Sequence, residues 1–379
     1  MSMQLNLQLY HTTASSRSMK GRVSVNNFGT CVDYFCRKSD TRTLKKLAFA
    51  IGSKEGSTKS AIRSNIVTQC AILEQLASLR NINGSLTITA IDMGIDNFAH
   101  CRLDWSATAP RPQLLEWGKL QLSGKSIGLD DDKIPFTPEN MSRLGYKLTE
   151  QLTRNTSDAF VLERQRTRTM GSSNVFEPVL RVNTLEHVLF SNLFGRLQPK
   201  HGKRAGSPSE YLVCSSDPKR MTEYWCKHMP SRSKAVTKAE INLVPATKKP
   251  LPAQVTKKLK IALAHSLVSD AATSQSLHKL SLPSNLVSSF RSQTLNKKIS
   301  LFDGLGLSED AGKNKEDDLA DSLLHALAWF DWVNTFDELT KVIRSNGTEG
   351  PVALAAFNAF VKQKNADILS FSKTCIPNQ

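Results

Sequence analysis

"LTITAIDMGIDNFAHCRLDW" (residues 86–105) is the stretch on which the reading of this chain turns. Apolar and polar residues alternate through its first half, the period of a strand that presents one face to a core. Gly94 interrupts the run and the pattern resumes at Phe98, which predicts two antiparallel strands joined by a tight turn. Asp92 closes the first strand, just before that turn.

Working outward, "LLEWGKLQL" (114–122) supplies a third strand, and "TPENMSRLGYKLTEQLTR" (137–154) opens with the Thr-Pro start of a helix. "DAFVLERQRTRT" (158–169) reads as a short buried strand ending on Glu163, "VNTLEHVLFSNLFGRL" (182–197) as a helix, and "EYLVCSSDPKRM" (210–221) as a fifth strand stopping at a turn. Helices follow across 254–268, in "KEDDLADSLLHALAWFDW" (315–332), and in the terminal "GPVALAAFNAFVKQKN" (350–365). The order β-β-β-α-β-α-β-α is that of the RNase H-like fold, a mixed five-stranded sheet with helices on both faces. In that fold the first strand is central, the fourth lies beside it, and the late helix rests against them.

The late helix begins with Glu316, Asp317, Asp318 and Asp321 in a strongly basic chain. Acids in a first turn complement the positive end of a helix and need no function. Asp321, however, sits between Leu319 and Leu323 on an apolar stripe, where a carboxylate is costly unless paired or bound to a cation.

Fifty Lys and Arg against 34 Asp and Glu give a net charge of +16 over 379 residues, which favours a polyanionic partner. The excess is concentrated: residues 198–300 hold 18 basic and 5 acidic residues, a local net of +13. No stretch approaches the ~18 apolar residues of a membrane helix, so no membrane insertion is expected. Seven cysteines without C-x-x-C spacing argue against a zinc site or a disulfide framework.

Residues 1–25 carry Arg17, Lys20 and Arg22, several Ser and Thr, and no acid, the composition of a mitochondrial targeting segment. Residues 41–80 read as a two-helix hairpin around a turn containing Gly52 and Gly56. That pattern resembles the SAP-type helix-turn-helix, with Lys45 and Lys59 as its DNA contacts; a plain helical hairpin fits nearly as well. The expected organisation is therefore a targeting segment (1–25), a SAP-like segment (41–80), a catalytic domain (85–335) with a basic insert at about 200–300, and a helical extension (336–379).

In this topology the ends of the first and fourth strands and the start of the late helix lie side by side. Asp92, Glu163, Asp318 and Asp321 then converge, with Asp317 as a close neighbour. Alone, Asp92 suits a turn and Glu163 a salt bridge to Arg164 or Arg166. Together they repel unless a cation sits among them. Hard divalent ions take oxygen ligands, and Mg²⁺ prefers a few carboxylates with water and phosphate. Two such ions roughly 4 Å apart support hydrolysis of a phosphodiester.

The blocks "AIDMGIDNFAHCRL", "VLERQRTRT", "SSDPKRMTEYW" and "KEDDLADSLLHALAW" resemble, in order, those of the fungal mitochondrial Holliday-junction resolvases, relatives of bacterial RuvC. The resemblance runs over about 85–335. It implies that Asp92, Glu163, Asp318 and Asp321 are catalytic metal ligands for Mg²⁺, with Mn²⁺ able to substitute. It also implies a mitochondrial endonuclease that resolves four-way DNA junctions by paired symmetric nicks. Arg166, Arg168, Lys203, Arg204, Lys219 and Arg220 are the expected DNA contacts of this domain. The two-fold symmetry of a four-way junction favours a homodimer. Another RNase H-like nuclease and a non-catalytic mitochondrial DNA-binding protein are the alternatives. An actin-like ATPase would also begin with a strand and "D-x-G", but needs later phosphate and adenosine motifs that the sequence lacks.

Overall fold

The computed structural model describes residues 28–94, 98–165, 176–197, 211–229, 253–273, 279–296, 299–307 and 316–375. Its five strands are β1 (Ser85–Asp92), β2 (Phe98–Ser106), β3 (Gln113–Leu120), β4 (Ala159–Glu163) and β5 (Leu212–Ser216). They form one sheet in the order β3-β2-β1-β4-β5. β1–β2 and β2–β3 pair antiparallel, while β1–β4 and β4–β5 pair parallel. The first strand is central and the fourth is its neighbour, as the element order predicts for an RNase H-like sheet.

Eleven α-helices are described: α1 (Phe28–Lys38), α2 (Thr41–Ala50), α3 (Lys59–Asn83), α4 (Pro138–Leu152), α5 (Glu177–Leu197), α6 (Pro218–Cys226), α7 (Ala253–Thr273), α8 (Ser284–Leu295), α9 (Leu301–Leu305), α10 (Asp317–Asn346) and α11 (Pro351–Thr374). Their starts follow local chemistry. Thr137 caps α4 with Pro138 in its first turn, Asp217 caps α6 ahead of Pro218, and Thr58 accepts from the Ala61 amide at the start of α3.

Strand parity sorts the core into two. Ile88 and Ala90 of β1 and Ala159 and Val161 of β4 enter a large core shared with α10. Ile91, Phe160 and Leu162 point the other way, against α4 and α5. Because side chains alternate along a strand, Asp92 and Glu163 face the α10 side. α10 is buried on nearly every side, as expected of a central helix. Indole N–H groups of Trp117 (β3) and Trp225 (α6) donate to its Leu319 and Leu324 carbonyls at 3.1 and 3.0 Å, which fixes its height over the sheet.

Three expectations about organisation change. The 41–80 hairpin exists as α2 and α3, but Leu44, Leu47, Ile51, Ile62 and Ile66 are at most 1% exposed and belong to the large core. It is therefore part of the domain and not an appended module. Gly52 adopts φ +68° with a Trp332 ring atom 2.3 Å from where its Cβ would lie, so the turn is pressed onto α10. The expected basic insert contributes α6, α7 and α8 to the same core. Finally, the boundary at 335 falls inside α10, which runs unbroken to Asn346 and then packs against α11. The 1–25 segment lies outside the described residues.

Candidate active site

The parallel register sets the site. Ile91 pairs with Leu162 and Glu163 with Ser216, so Asp92, Glu163 and Ser216 stand in a row at the carboxyl ends of three adjacent strands. Ligands of parallel sheets bind at this end of the strands. The first turns of α10 arrive over that row, because Asp318, Asp321 and His325 share one face at spacings of three and four.

Asp92, Glu163 and Asp321 each offer a carboxylate oxygen, and the three oxygens lie within 4.8 Å of one another. Burial drives Asp92 well above the ordinary carboxylate range, and Glu163, Asp321 and Asp318 push it further. Asp321 rises to about 6, chiefly through burial and then through Glu163, with Lys260 opposing. Burial alone would also lift Glu163, but the hydrogen bond from His325 and the charge of Lys260 carry it below its usual value.

Each acid of the α10 start, Asp321 included, has its own cationic or imidazole partner. Lys119 of β3, fully buried, meets Asp318 at 2.8 Å, while Lys257 and Lys260 of α7 reach Asp317 and Asp321 at 2.5 Å each. His265 of α7 bonds Glu316 at 2.7 Å. Burial would raise Glu316, but the His265 contact holds it below the usual range. Asp318 is not among the three converging acids and stands beside the triangle rather than in it.

His325 Nε2 lies 3.1 Å from Glu163 Oε2, and its Nδ1 is 2.9 Å from Ser216 Oγ, which accepts from Trp329 Nε1 at 3.1 Å. With Ser216 accepting from Trp329, its own proton is available to His325 Nδ1, leaving Nε2–H for Glu163. This buried line fixes the orientation of the Glu163 carboxylate.

The residues fit a hard divalent cation. Three oxygens converge, and Asp321 Oδ1 is buried without a hydrogen-bond partner.

Residues 88–339 match the family model described as "Mitochondrial resolvase Ydc2 / RNA splicing MRS1". The chain belongs to this family. The mitochondrial cruciform cutting endonuclease 1 of Saccharomyces cerevisiae is 34% identical to it over 83% of this chain and 88% of that protein. The mitochondrial RNA-splicing protein MRS1 of the same organism is 24% identical over 90% of this chain and 93% of its own length. The crystal structure of the yeast mitochondrial Holliday junction resolvase Ydc2 overlaps with a TM-score of 0.46 at 17% identity, covering 86% of this chain and 98% of that one.

Of the expected site residues of this family member, Asp92, Glu163 and Asp321 come together, with Asp318 and Asp317 adjoining. Lys219 and Lys45 are exposed. Lys59 is exposed too, although its ammonium donates to the Arg37 carbonyl at 2.9 Å. Arg220 is a correction. Only 8% exposed, it lies 3.7 Å from Glu55 and 3.4 Å from Glu223, so it ties α6 to the α2–α3 turn and is not a free phosphate contact. Arg166, Arg168, Lys203 and Arg204 lie outside the described residues. Lys119, Lys260 and His325 are site residues that sequence reasoning missed. The only sequence signal was that buried carboxylates require partners.

Proposed function

We propose that the chain is a metal-dependent endonuclease that resolves four-way junctions in mitochondrial DNA by paired, symmetric nicks. The observation that carries this reading is the triangle of Asp92, Glu163 and Asp321 oxygens at the carboxyl ends of β1 and β4. Those three residues would hold a divalent cation, with Asp318 beside them. Bound there, Mg²⁺, or Mn²⁺ in its place, supplies Lewis acidity and a nucleophilic water for phosphodiester hydrolysis.

The chain's own residues prepare the site. Lys260 offsets the mutual repulsion of the acids, and His325 holds Glu163 ionised and oriented. Lys119 keeps Asp318 in place at the edge of the triangle. Exposed cations, including Lys219, Lys45 and Lys59, neutralise backbone phosphates, a role that extends to Arg166, Arg168, Lys203 and Arg204. A C2 homodimer would present two such sites with the symmetry of the junction. Membership of a family described as mitochondrial, together with the basic, acid-free 1–25 segment, supports action in the mitochondrion.

The test is incubation of the full chain with a synthetic four-way junction, with and without Mg²⁺. Symmetric nicks on opposing strands are expected only with the metal; an intact junction under both conditions refutes the proposal. The family also includes RNA-splicing proteins, so an RNA-binding role is the second reading. It requires cationic surface but not the acid triangle.

A further inference from the structure

β5, an edge strand of the sheet among the described residues, lines a cleft of about 500 Å³. At the opposite edge of the sheet, Ser281 makes an isolated bridge to Gln113 at the start of β3. Trp329 and Trp332 of α10 line the cleft, together with the α3 face bearing Asn65, Gln69 and Ile72, and Phe190 of α5.

Three observations indicate what this cleft accepts. First, Trp332 Nε1 and Gln69 Nε2 are buried donors with no acceptor, and Trp332 is only 2% exposed. Buried donors are nearly always paired, so each needs an acceptor, which a ligand or a water in the cleft can supply. Second, Lys54 and Arg164 line the cleft and are both exposed. Lys54 is held below its ordinary pKa by burial and then by the charges of Arg164 and Arg220, against the opposing pull of Asp217, a sign of crowded positive charge. Third, the cleft is linked to the acids through shared residues. Arg164 follows Glu163 directly, and cleft residues Trp329 and Ser216 are the outer members of the hydrogen-bond line that ends on Glu163.

Apolar walls, unpaired donors and a cationic rim match the chemistry of one nucleotide. A peptide strand added to β5 would bring donors as well as acceptors and would make no use of the rim. We propose that this cleft takes one unstacked nucleotide of the bound nucleic acid, its base toward Gln69 and Trp332 and its phosphate at Lys54 and Arg164. The proposal rests on the nucleic-acid reading above and adds a subsite to it. Such a subsite would select which nucleotide lies beside the cut, and the Trp329–Ser216–His325 line would connect its occupancy to Glu163.

The test is a coupling measurement with the full chain in EDTA, where no cleavage occurs. Four-way junctions carrying a single abasic site, moved stepwise along the strands near the crossover, are titrated by fluorescence anisotropy against wild type and Gln69→Leu. Leucine removes an unpaired donor and should not disturb folding, which thermal melting checks; Lys54→Ala, an exposed change, provides a second variant. At one position, loss of the base should weaken wild-type binding by roughly tenfold, the usual size of a base-stacking contact. The same abasic site should cost Gln69→Leu less than it costs wild type, by about twofold or more. If no position shows the loss, or if both proteins lose equally, the cleft holds no base. A chain that cuts junctions but shows no coupling overturns this proposal alone. A chain that cuts no junction but binds single-stranded RNA overturns the endonuclease reading, and the same coupling measured on abasic RNA then keeps or overturns the cleft. Failure to bind any nucleic acid overturns both.

Discussion

The Lys260 ammonium lies 2.5 Å from Asp321 Oδ2, placing a resident positive charge against the acid triangle. Lys260 comes from α7, 61 residues away in sequence, and both side chains are nearly buried. Removing one partner of a buried ion pair strands the other charge. Lys260→Met should therefore lower the stability of the metal-free protein by about 3 kcal/mol or more, with part of the loss restored by added Mg²⁺. Chemical denaturation in EDTA and in Mg²⁺ measures both. An unchanged midpoint in EDTA would mean that the pair carries no net stabilisation.

The same site makes stability depend on pH in a defined direction. Asp321 has a folded-state pKa of about 6 against an ordinary 3.8. The folded chain therefore binds the proton more tightly than the unfolded one. The resulting stabilisation is complete below about 3.8 and is lost as pH rises through about 6. Asp92, raised by burial and by its acidic neighbours, extends the loss upward, whereas Glu163, lowered, loses stability only at acidic pH below its ordinary 4.5. In EDTA the melting temperature should fall between pH 5 and pH 7.5, and Mg²⁺ should raise it more at pH 7.5. Asp321→Asn should flatten the slope; an equal slope in the variant contradicts the assignment.

His325 is expected to act through Glu163. Replacing it with Ala removes the hydrogen bond that orients the carboxylate, and losses of a partner to a ligand commonly cost about 10–100-fold in activity or metal affinity. Single-turnover cleavage of a junction should slow by that factor, with junction affinity in EDTA within about twofold of wild type. An unchanged cleavage rate would leave the His325 contact purely structural.

Much of this arrangement was legible in the sequence, for a physical reason. Strand alternation and the turn after Asp92 are local signals, and they place Asp92 and Glu163 at strand ends whatever the rest of the chain does. The four acids of the α10 start were equally visible. Their counter-ions were not, because Lys119, Lys257 and Lys260 look like any other lysine in a basic chain until the fold brings them together. Arg220 shows the converse: a basic run suggested a DNA contact, and Glu55 and Glu223 claim the side chain. The periodicity of 41–80 revealed two helices but not where their apolar faces go, since an amphipathic pattern does not encode its partner.

Where they go has a consequence. Gly52 is pressed onto Trp332 at positive φ, so Gly52→Ala should destabilise the protein by roughly 1–3 kcal/mol through overpacking and backbone strain. A chain starting near Ser85 would lose α1, α2 and α3 and should yield no soluble folded protein. Recovery of a folded, junction-cutting fragment would restore the reading of 41–80 as an independent module.

The acid triangle is tested most directly by cleavage of a synthetic four-way junction in Mg²⁺ by wild type and Asp92→Asn, with junction affinity measured in parallel. Asparagine is nearly isosteric but removes a charged oxygen from the triangle. Wild type should nick opposing strands symmetrically, whereas Asp92→Asn should bind the junction at least as well and fail to cut it. Cleavage by Asp92→Asn at a rate near that of wild type would contradict the account.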